Sequence, residues 1–393
     1  MSDERGWRGV LVVALWQVVA SLCYYSAFPA TDAFQTAFSL SGVEVGLVIT
    51  TLTLGYTLML FPAGALVDAY GDRPAMVGGL AGLALGAFGV SFATSYATLL
   101  VAVFVLGAAY ATAMPSTNVA VAERAPRGSY NLAVGIKQVG VTLGSALAAF
   151  VVAGLAAYAL GWQLGFLVAA AAAGVVGVGF LLSYEGSGGT GSLSFPDVGA
   201  LWGNRPLMAL AAGGFFVGAA VFTTTGYAVP YLEADTTATA AVASVVLGVT
   251  QLTGSVGRIG AGALADRVRG TAATASIRVL AAQSGLGAVT MAAIPFLAMP
   301  GAAVGFAVLG LGILGVTGLY HGALVALAGE GESGAATAAG QTTINFGGLV
   351  VPPAFGYLAD TAGYAAGWDL LAVCIALGVA CALVAGRLAL AAE

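Results

Sequence analysis

Apolar residues fall in long runs of about 20 residues, and what interrupts them is short: a charge or two, a Gly/Pro cluster, a polar turn. The runs lack the strict two-residue alternation of a membrane-embedded β-strand. Each therefore reads as an α-helix, which satisfies its own backbone groups in a solvent that offers none. The pattern predicts helices over 8–29, 43–66, 75–93, 97–122, 131–156 and 162–183, then over 206–231, 239–264, 274–293, 301–328, 335–358 and 365–389. The fourth of each six is the least sharply bounded. Tyr184 to Asn204, with GSGGTGS and Pro196, is the longest polar stretch and reads as a linker. The expected organisation is a six-helix bundle over 1–184, a cytoplasmic linker over 185–204 and a second bundle over 205–393.

Composition adds the solvent. Of 393 residues, 60% are hydrophobic and 7% charged, with a mean hydropathy of +0.98, whereas a soluble domain carries about 25% charge. Lipid must cover most of the surface. The first run starts too early and is too polar at its end (Tyr24, Tyr25, Asp32) for a cleaved signal peptide, so it reads as a membrane helix. Acidic residues outnumber basic ones 17 to 12, which argues against a nucleic-acid partner. Cys23, Cys374 and Cys381 all lie in apolar runs without metal-ligand spacing, so neither a disulfide framework nor a metal site is expected, nor a cofactor. With the N-terminus inside, ten of the 12 basic residues, among them Arg127, fall on the cytoplasmic side. An even number of spans then brings the C-terminus back to the cytoplasm, and the expected location is the inner (cytoplasmic) membrane.

Two copies of one motif mark a duplication: AGALVD from Ala63 to Asp68 and AGALAD from Ala261 to Asp266, half a chain apart and each at the end of the second helix of its six. This arrangement resembles the major facilitator superfamily, whose signature Gly-x-x-x-Asp-x-x-Gly-x-Arg is matched by GALVDAYGDR at Gly64, Asp68, Gly71 and Arg73. Pro74, Ala75 and Met76 follow where further basic residues are usual. In the second half Gly262, Asp266 and Arg267 match, while Arg269 stands where glycine is usual. The resemblance implies an all-α membrane fold of twelve transmembrane helices in two pseudo-twofold six-helix bundles, and a transporter rather than an enzyme. It implies that the signature helps hold one face shut, against the end of the eleventh helix near Gly334 and Ala335. Physically, Gly64 and Gly71 permit a tight turn and close approach, and Asp68 can accept backbone N–H groups at a helix N-terminus. The early fourth-helix arginine of proton-coupled drug antiporters is missing from VFVLGAAYA, Val103 to Ala111.

Polar groups at hydrocarbon depth are costly and mark candidate sites. Lys137, the sole lysine, lies about 10 Å deep in the fifth helix, where an unpaired charge costs about 2.5–3.5 kcal/mol on insertion scales. Gly140 and Gly144 give a GxxxG spacing beside it that brings a neighbouring helix close. Lys137 either attracts an anionic substrate group or serves structure by snorkelling or pairing. In the repeat-related eleventh helix, Gln341 and Asn345 share a face and either bind substrate or glue helices together. His321, the only histidine, is a candidate for proton coupling or binding, or a satisfied interior residue. Gln17, Ser21, Tyr24 and Phe28 fall on one stripe of the first helix. The resemblance implies that helices 1, 4, 7 and 10 line the cavity, adding Asn118, Thr224 and Tyr227. Tyr56 and Gln251 are weaker candidates, Arg258 reads as structural, and Asp32 and Glu44 as outer-boundary residues.

The expected function is secondary transport of a small organic anion by alternating access, by a monomer in the lipid bilayer, with a proton or sodium ion as the coupling ion to consider. Export of amphipathic or neutral compounds on the same fold is the alternative. A receptor or membrane enzyme is remote, because no nucleophile–base pair, metal cluster or phosphate loop stands out in the sequence.

Overall fold

The computed structural model describes residues 2–126, 130–157, 161–193, 197–329 and 332–392. Arg127, counted above toward the orientation, lies outside them, as does the linker proline at 196. The described residues form α1 (Ser2–Tyr25), α2 (Gly42–Tyr70), α3 (Asp72–Ser91), α4 (Tyr96–Arg124), α5 (Tyr130–Ala157), α6 (Gly161–Ser183), α7 (Arg205–Asp235), α8 (Ala240–Ala265), α9 (Ala272–Ala293), α10 (Gly301–Leu327), α11 (Ser333–Ala362) and α12 (Tyr364–Ala392). Eleven of these are long and apolar enough to cross a membrane. The remaining one, α11, has the length at 30 residues, but Gln341, Thr342, Thr343 and Asn345 dilute its apolar composition.

The helices start and stop where local chemistry directs. Ser95 caps α4, its hydroxyl accepting from the Thr98 amide while the Thr98 hydroxyl accepts from the Ser95 amide. Thr239 and Thr271 cap α8 and α9 in the simpler way. The first helix ends at Tyr25, short of the expected 29, and a separate short helix, Thr31–Phe38, follows. A turn over Ser26–Ala30 makes the break, with Thr31 Oγ1 donating to the Phe28 carbonyl at 2.9 Å.

Contacts divide the chain into two compact units, Met1–Ala33 with Thr51–Phe195, and Phe34–Thr50 with Pro196–Glu393. In the first, α1 packs along α5, and α3 along α4 and α6; in the second, α7 packs along α11 and α12, and α9 along α12. The pairs α1/α5 and α7/α11 therefore correspond, as do α3/α6 and α9/α12, which is the packing counterpart of the repeated motif. Both α1/α5 and α7/α11 close on glycine. A Cβ on Gly144 would collide with the Val18 carbonyl and one on Gly218 with the Ile344 carbonyl, so small residues set the helix separation.

Polarity is distributed inside out. Leu85, Val175, Val289 and Phe296 are exposed, while Gln17, Lys137, Thr224 and Asn345 are buried. Large apolar side chains facing outward along entire helices are what a lipid solvent requires.

Candidate functional site

The fourth helices of the two halves are both irregular midway. α4 breaks at Ala111 and Thr112, where Thr112 Oγ1 donates to the Ala109 carbonyl at 2.9 Å. α10 passes through a π-helical turn at Gly310–Leu314. Irregular backbone at membrane depth is tolerated where it is buried in protein or lines a cavity, and π turns recur at functional sites. In the first unit the polar side chains gather beside the α4 break.

In the first unit, Lys137 of α5 is 2% exposed and its Nζ donates to Asn118 Oδ1 of α4 at 2.8 Å. A charge-assisted bond of this kind is strong. The neighbouring residue, Thr117, donates to Gln17 Oε1 of α1 at 3.4 Å, and Gln17 Nε2 donates to Ser21 Oγ at 3.1 Å. Ser21 Oγ and Tyr110 Oη lie 3.1 Å apart. The Tyr110 ring stacks on Tyr24 at 4.2 Å between centroids, with Tyr56 6.0 Å from Tyr24. The fold thus brings Gln17, Tyr24, Asn118 and Lys137 together through α4. Ser21, of the same α1 stripe, belongs to the cluster, and Tyr110 and Thr117 complete it without having been singled out; the placement of Tyr110 just before the break is the signal that could have found it.

In the second unit, Gln341 Nε2 donates to Asn345 Oδ1 at 2.8 Å within α11. Asn345 is buried, and its Nδ2 has no acceptor among the described residues. His321 Nδ1 lies 2.8 Å from the Thr317 carbonyl. A carbonyl only accepts, so Nδ1 carries the proton and Nε2 presents a lone pair, and this nitrogen is buried with no partner among the described residues. Tyr320, next to His321, reaches Thr343 Oγ1 of α11 at 3.0 Å, which ties the two helices together at this level. Asn345 Nδ2 is thus an unmet donor and His321 Nε2 an unmet acceptor among the described residues, groups that a ligand carrying both functions could satisfy. Thr224 Oγ1 of α7 is likewise buried and unmet among the described residues. Tyr227 is placed differently: its hydroxyl lies 2.5 Å from the Gly42 carbonyl and 3.1 Å from that of Pro352, a bond to backbone. Arg258 Nη2 donates to the Leu314 carbonyl in the π turn at 3.4 Å, in keeping with a structural part.

The signature residues form a surface turn with a buried anchor beside them. Gly71 has φ of 84° and sits so close to the Ser187 carbonyl that a Cβ would not fit. At Gly64 and Gly262, by contrast, a Cβ would meet nothing within 4 Å, so the close approach is concentrated at Gly71. Asp68 is exposed and its carbonyl accepts the Thr190 amide at 2.8 Å; Arg73 Nη2 donates to the Leu181 carbonyl at 2.8 Å. Asp266 closes α8, its amide donating to the Gly262 carbonyl at 3.1 Å, and the Arg267 amide donates to that of Leu264 at 3.0 Å.

Asp72, one of the variable positions of the signature, is fully buried. It accepts from Tyr184 Oη at 2.6 Å and the Ser187 amide at 2.7 Å, and pairs with Arg124 at 3.3 Å. Arg124 also donates to the Glu185 carbonyl and lies 4.5 Å above the Tyr184 ring. Desolvation, and then the Asp72 carboxylate, raise the Tyr184 phenol well above its usual range, so it remains a donor. A second carboxylate of this type is Asp360 of α11, which accepts the Gly42 amide at 2.9 Å and that of Val43 at 3.3 Å and so caps α2. Asp72 and Asp360 each accept backbone amides, the kind of contact the sequence suggests for Asp68. Among the described residues no three His, Cys, Asp or Glu side chains come together to hold a metal.

Apolar helices, corresponding packing in two units and interior polar clusters define a polytopic membrane transporter. The chain matches the Major Facilitator Superfamily over residues 13–352 and belongs to that family. Similar proteins include the tetracenomycin C resistance and export protein of Streptomyces glaucescens, 28% identical over 42% of this chain and 30% of that one. The 3-(3-hydroxy-phenyl)propionate transporter of Escherichia coli K12 is 28% identical over 41% of this chain and 40% of that one. The human solute carrier family 2 facilitated glucose transporter member 12 is 29% identical over 28% and 18%. In each case the match spans less than half of the relative's length. Among solved structures, a bacterial homologue of the human lysosomal transporter Spinster superposes with a TM-score of 0.77 at 14% identity, covering 96% of both chains. A mutant of the nucleoside transporter NupG gives 0.76 at 13% identity, over 96% of this chain and 99% of that one. These structures share the fold.

Proposed function

We propose that this chain is a secondary transporter that carries a small organic anion across the cytoplasmic membrane by alternating access. The halves over 1–184 and 205–393 rock about a midplane site, the linker over 185–204 lies on the cytoplasmic side with both termini, and the unit of function is a monomer. The observation that carries the reading is the buried Lys137 ammonium held by Asn118 at 2.8 Å. A cation at this depth attracts a carboxylate or phosphate that has shed its water, because opposite charges interact strongly where the dielectric is low. Gln17, Tyr24, Gln341 and Asn345 orient the solute, His321 Nε2 accepts a proton from it or from the coupling reaction, and Tyr227 holds backbone nearby. Gly64, Asp68, Gly71, Arg73, Gly262, Asp266 and Arg267 serve the turns that open and close. The named substrate of the Escherichia coli relative, an aromatic propionate, belongs to the class proposed.

The test is uptake of labelled aromatic and aliphatic carboxylates into proteoliposomes by the parent, Lys137→Ala and Lys137→Arg. Loss of the buried charge partner lowers subsaturating uptake by at least about thirtyfold, the equivalent of about 2 kcal/mol, and arginine restores part of it. Equal uptake by Lys137→Ala and the parent would refute the anion reading.

A second reading, export of amphipathic or neutral compounds, is favoured by the stacked Tyr24–Tyr110 pair with Tyr56 beside it and by the export relative from Streptomyces. Efflux of a neutral dye that survives Lys137→Ala would select it.

A further inference from the structure

The second unit carries a basic, cavity-bearing end that the transport site does not use. Where α7 and α9 begin and α12 finishes, a cavity of about 740 Å³ is lined by Asn204, Arg205, Thr271 and Leu388 among others. A smaller one, of about 130 Å³, is lined by Thr274, Arg278, Leu383, Arg387 and Leu390. The two adjoin along both helices: Ala273 lines the first and Thr274 the second on α9, and Leu388 lines the first and Arg387 the second on α12. No acidic residue lines either cavity.

We infer that this paired cavity binds the headgroup of an anionic phospholipid, with its phosphate between Arg278 and Arg387 and its remaining polar group toward Arg205 and the start of α9. Two features carry the anion contact. The arginines are exposed yet not all loose, since Arg278 Nη1 is anchored on the Arg269 carbonyl at 2.7 Å, which leaves its other N–H groups for the forked contact a phosphate takes. The amides of Ala272 and Ala273 open α9 behind the Thr271 cap, and first-turn amides have no acceptor within their own helix.

The surroundings select a lipid over a soluble anion. Leu383 and Leu390 are 50% and 48% exposed beside Arg387, so an acyl chain has an apolar face to run along directly below the charge. Trp202, 74% exposed just before Asn204 and Arg205, is the kind of ring that settles at headgroup level. Basic pockets between membrane helices at this level fit lipid phosphates.

The test uses the full chain in neutral detergent, read by native mass spectrometry and by thermal melting with added phosphatidylglycerol, phosphatidylcholine of the same acyl chains, or inorganic phosphate. Phosphatidylglycerol is retained at least about tenfold more than phosphatidylcholine and raises the melting temperature, whereas inorganic phosphate does neither. Each of R205Q, R278Q and R387Q lowers phosphatidylglycerol retention about fivefold, and R8Q, at an exposed arginine of the other unit, leaves it unchanged. The lysine variants R278K and R387K retain the charge and much of the binding, which separates a lost contact from a lost fold. Equal retention of the two lipids, an equal effect of inorganic phosphate, or undiminished retention in R278Q and R387Q would overturn the inference.

Discussion

Two carboxylates in different units perform the same local task in opposite settings. Asp72 in the first unit is fully buried, matched by Arg124 and further held by Tyr184 and the Ser187 amide. Asp360 in the second is exposed and holds only the neutral amides of Gly42 and Val43. Water competes for every bond Asp360 makes, so their net worth is small; little water reaches Asp72, and removing it takes the carboxylate partner from the partly buried Arg124 guanidinium. The contrast bears on α2, which begins at the Asp360 clasp and ends where the Thr190 and Gly191 amides bond the Asp68 and Ala69 carbonyls. One end of α2 lies just before the buried ionic anchor at Asp72, and the other is held by the exposed Asp360 carboxylate.

The largest effect is therefore expected at Asp72. Asp72→Ala removes the buried carboxylate from a pair whose arginine is partly exposed and lowers stability by about 1.5–3 kcal/mol. It also frees the chain after Tyr184, since the Ser187 and Tyr184 bonds disappear with it. Thermal melting in detergent measures the first, and limited proteolysis across 185–193 the second. A variant as stable and as resistant as the parent would show that Arg124 and Tyr184 hold this end unaided, and the contrast with Asp360 would fail.

How much of this was open to reading from the chain follows the same line between local and tertiary causes. The helices were legible because lipid imposes one rule on every residue in a span, and α2, α6 and α9 lie close to their expected limits. α11 carries the GQTTINFGG segment and so falls outside the apolar criterion while keeping its length, and the short helix Thr31–Phe38 depends on a turn too local for a hydropathy pattern. Lys137 was legible as a polar residue at hydrocarbon depth and Asn118 as a cavity-lining residue implied by the resemblance, but their 2.8 Å bond joins α5 to α4 and depends on packing. Asp72 was hidden at a variable position of the signature, and only the return of Tyr184 and Ser187 to it reveals its part. Likewise nothing around Gly64 announces that the crowding falls at Gly71 instead.

A smaller loss is expected at the exposed clasp. Asp360→Ala removes a capping carboxylate at the start of α2 and costs about 1 kcal/mol, while Tyr227 still holds the Gly42 carbonyl. On the alternating-access proposal this contact opens during transport, so Asp360→Ala should shift the uptake rate severalfold with little change in melting. Should Asp360→Ala destabilise the protein as much as Asp72→Ala, the clasp would be a static anchor too.

The smallest effect concerns pH and sharpens the Asp72 side alone. The Tyr184 phenol is raised in the folded protein by desolvation and by the carboxylate it donates to, so the folded state holds this proton more tightly than the unfolded chain, where a phenol titrates near about 10. A group with a raised folded value contributes its full stability below the unfolded value and loses it as pH climbs toward the folded one. Melting temperature should therefore be insensitive to Tyr184 at neutral pH and decline above about pH 10. The other tyrosines also titrate there, so the informative quantity is the difference between the parent and Tyr184→Phe. The variant, with no phenol proton to lose at that position, declines less steeply than the parent above pH 10 while being somewhat less stable below it. Parallel curves would mean that the Tyr184 proton is held no more tightly in the fold than in the open chain, and that Arg124 and Ser187 alone anchor Asp72.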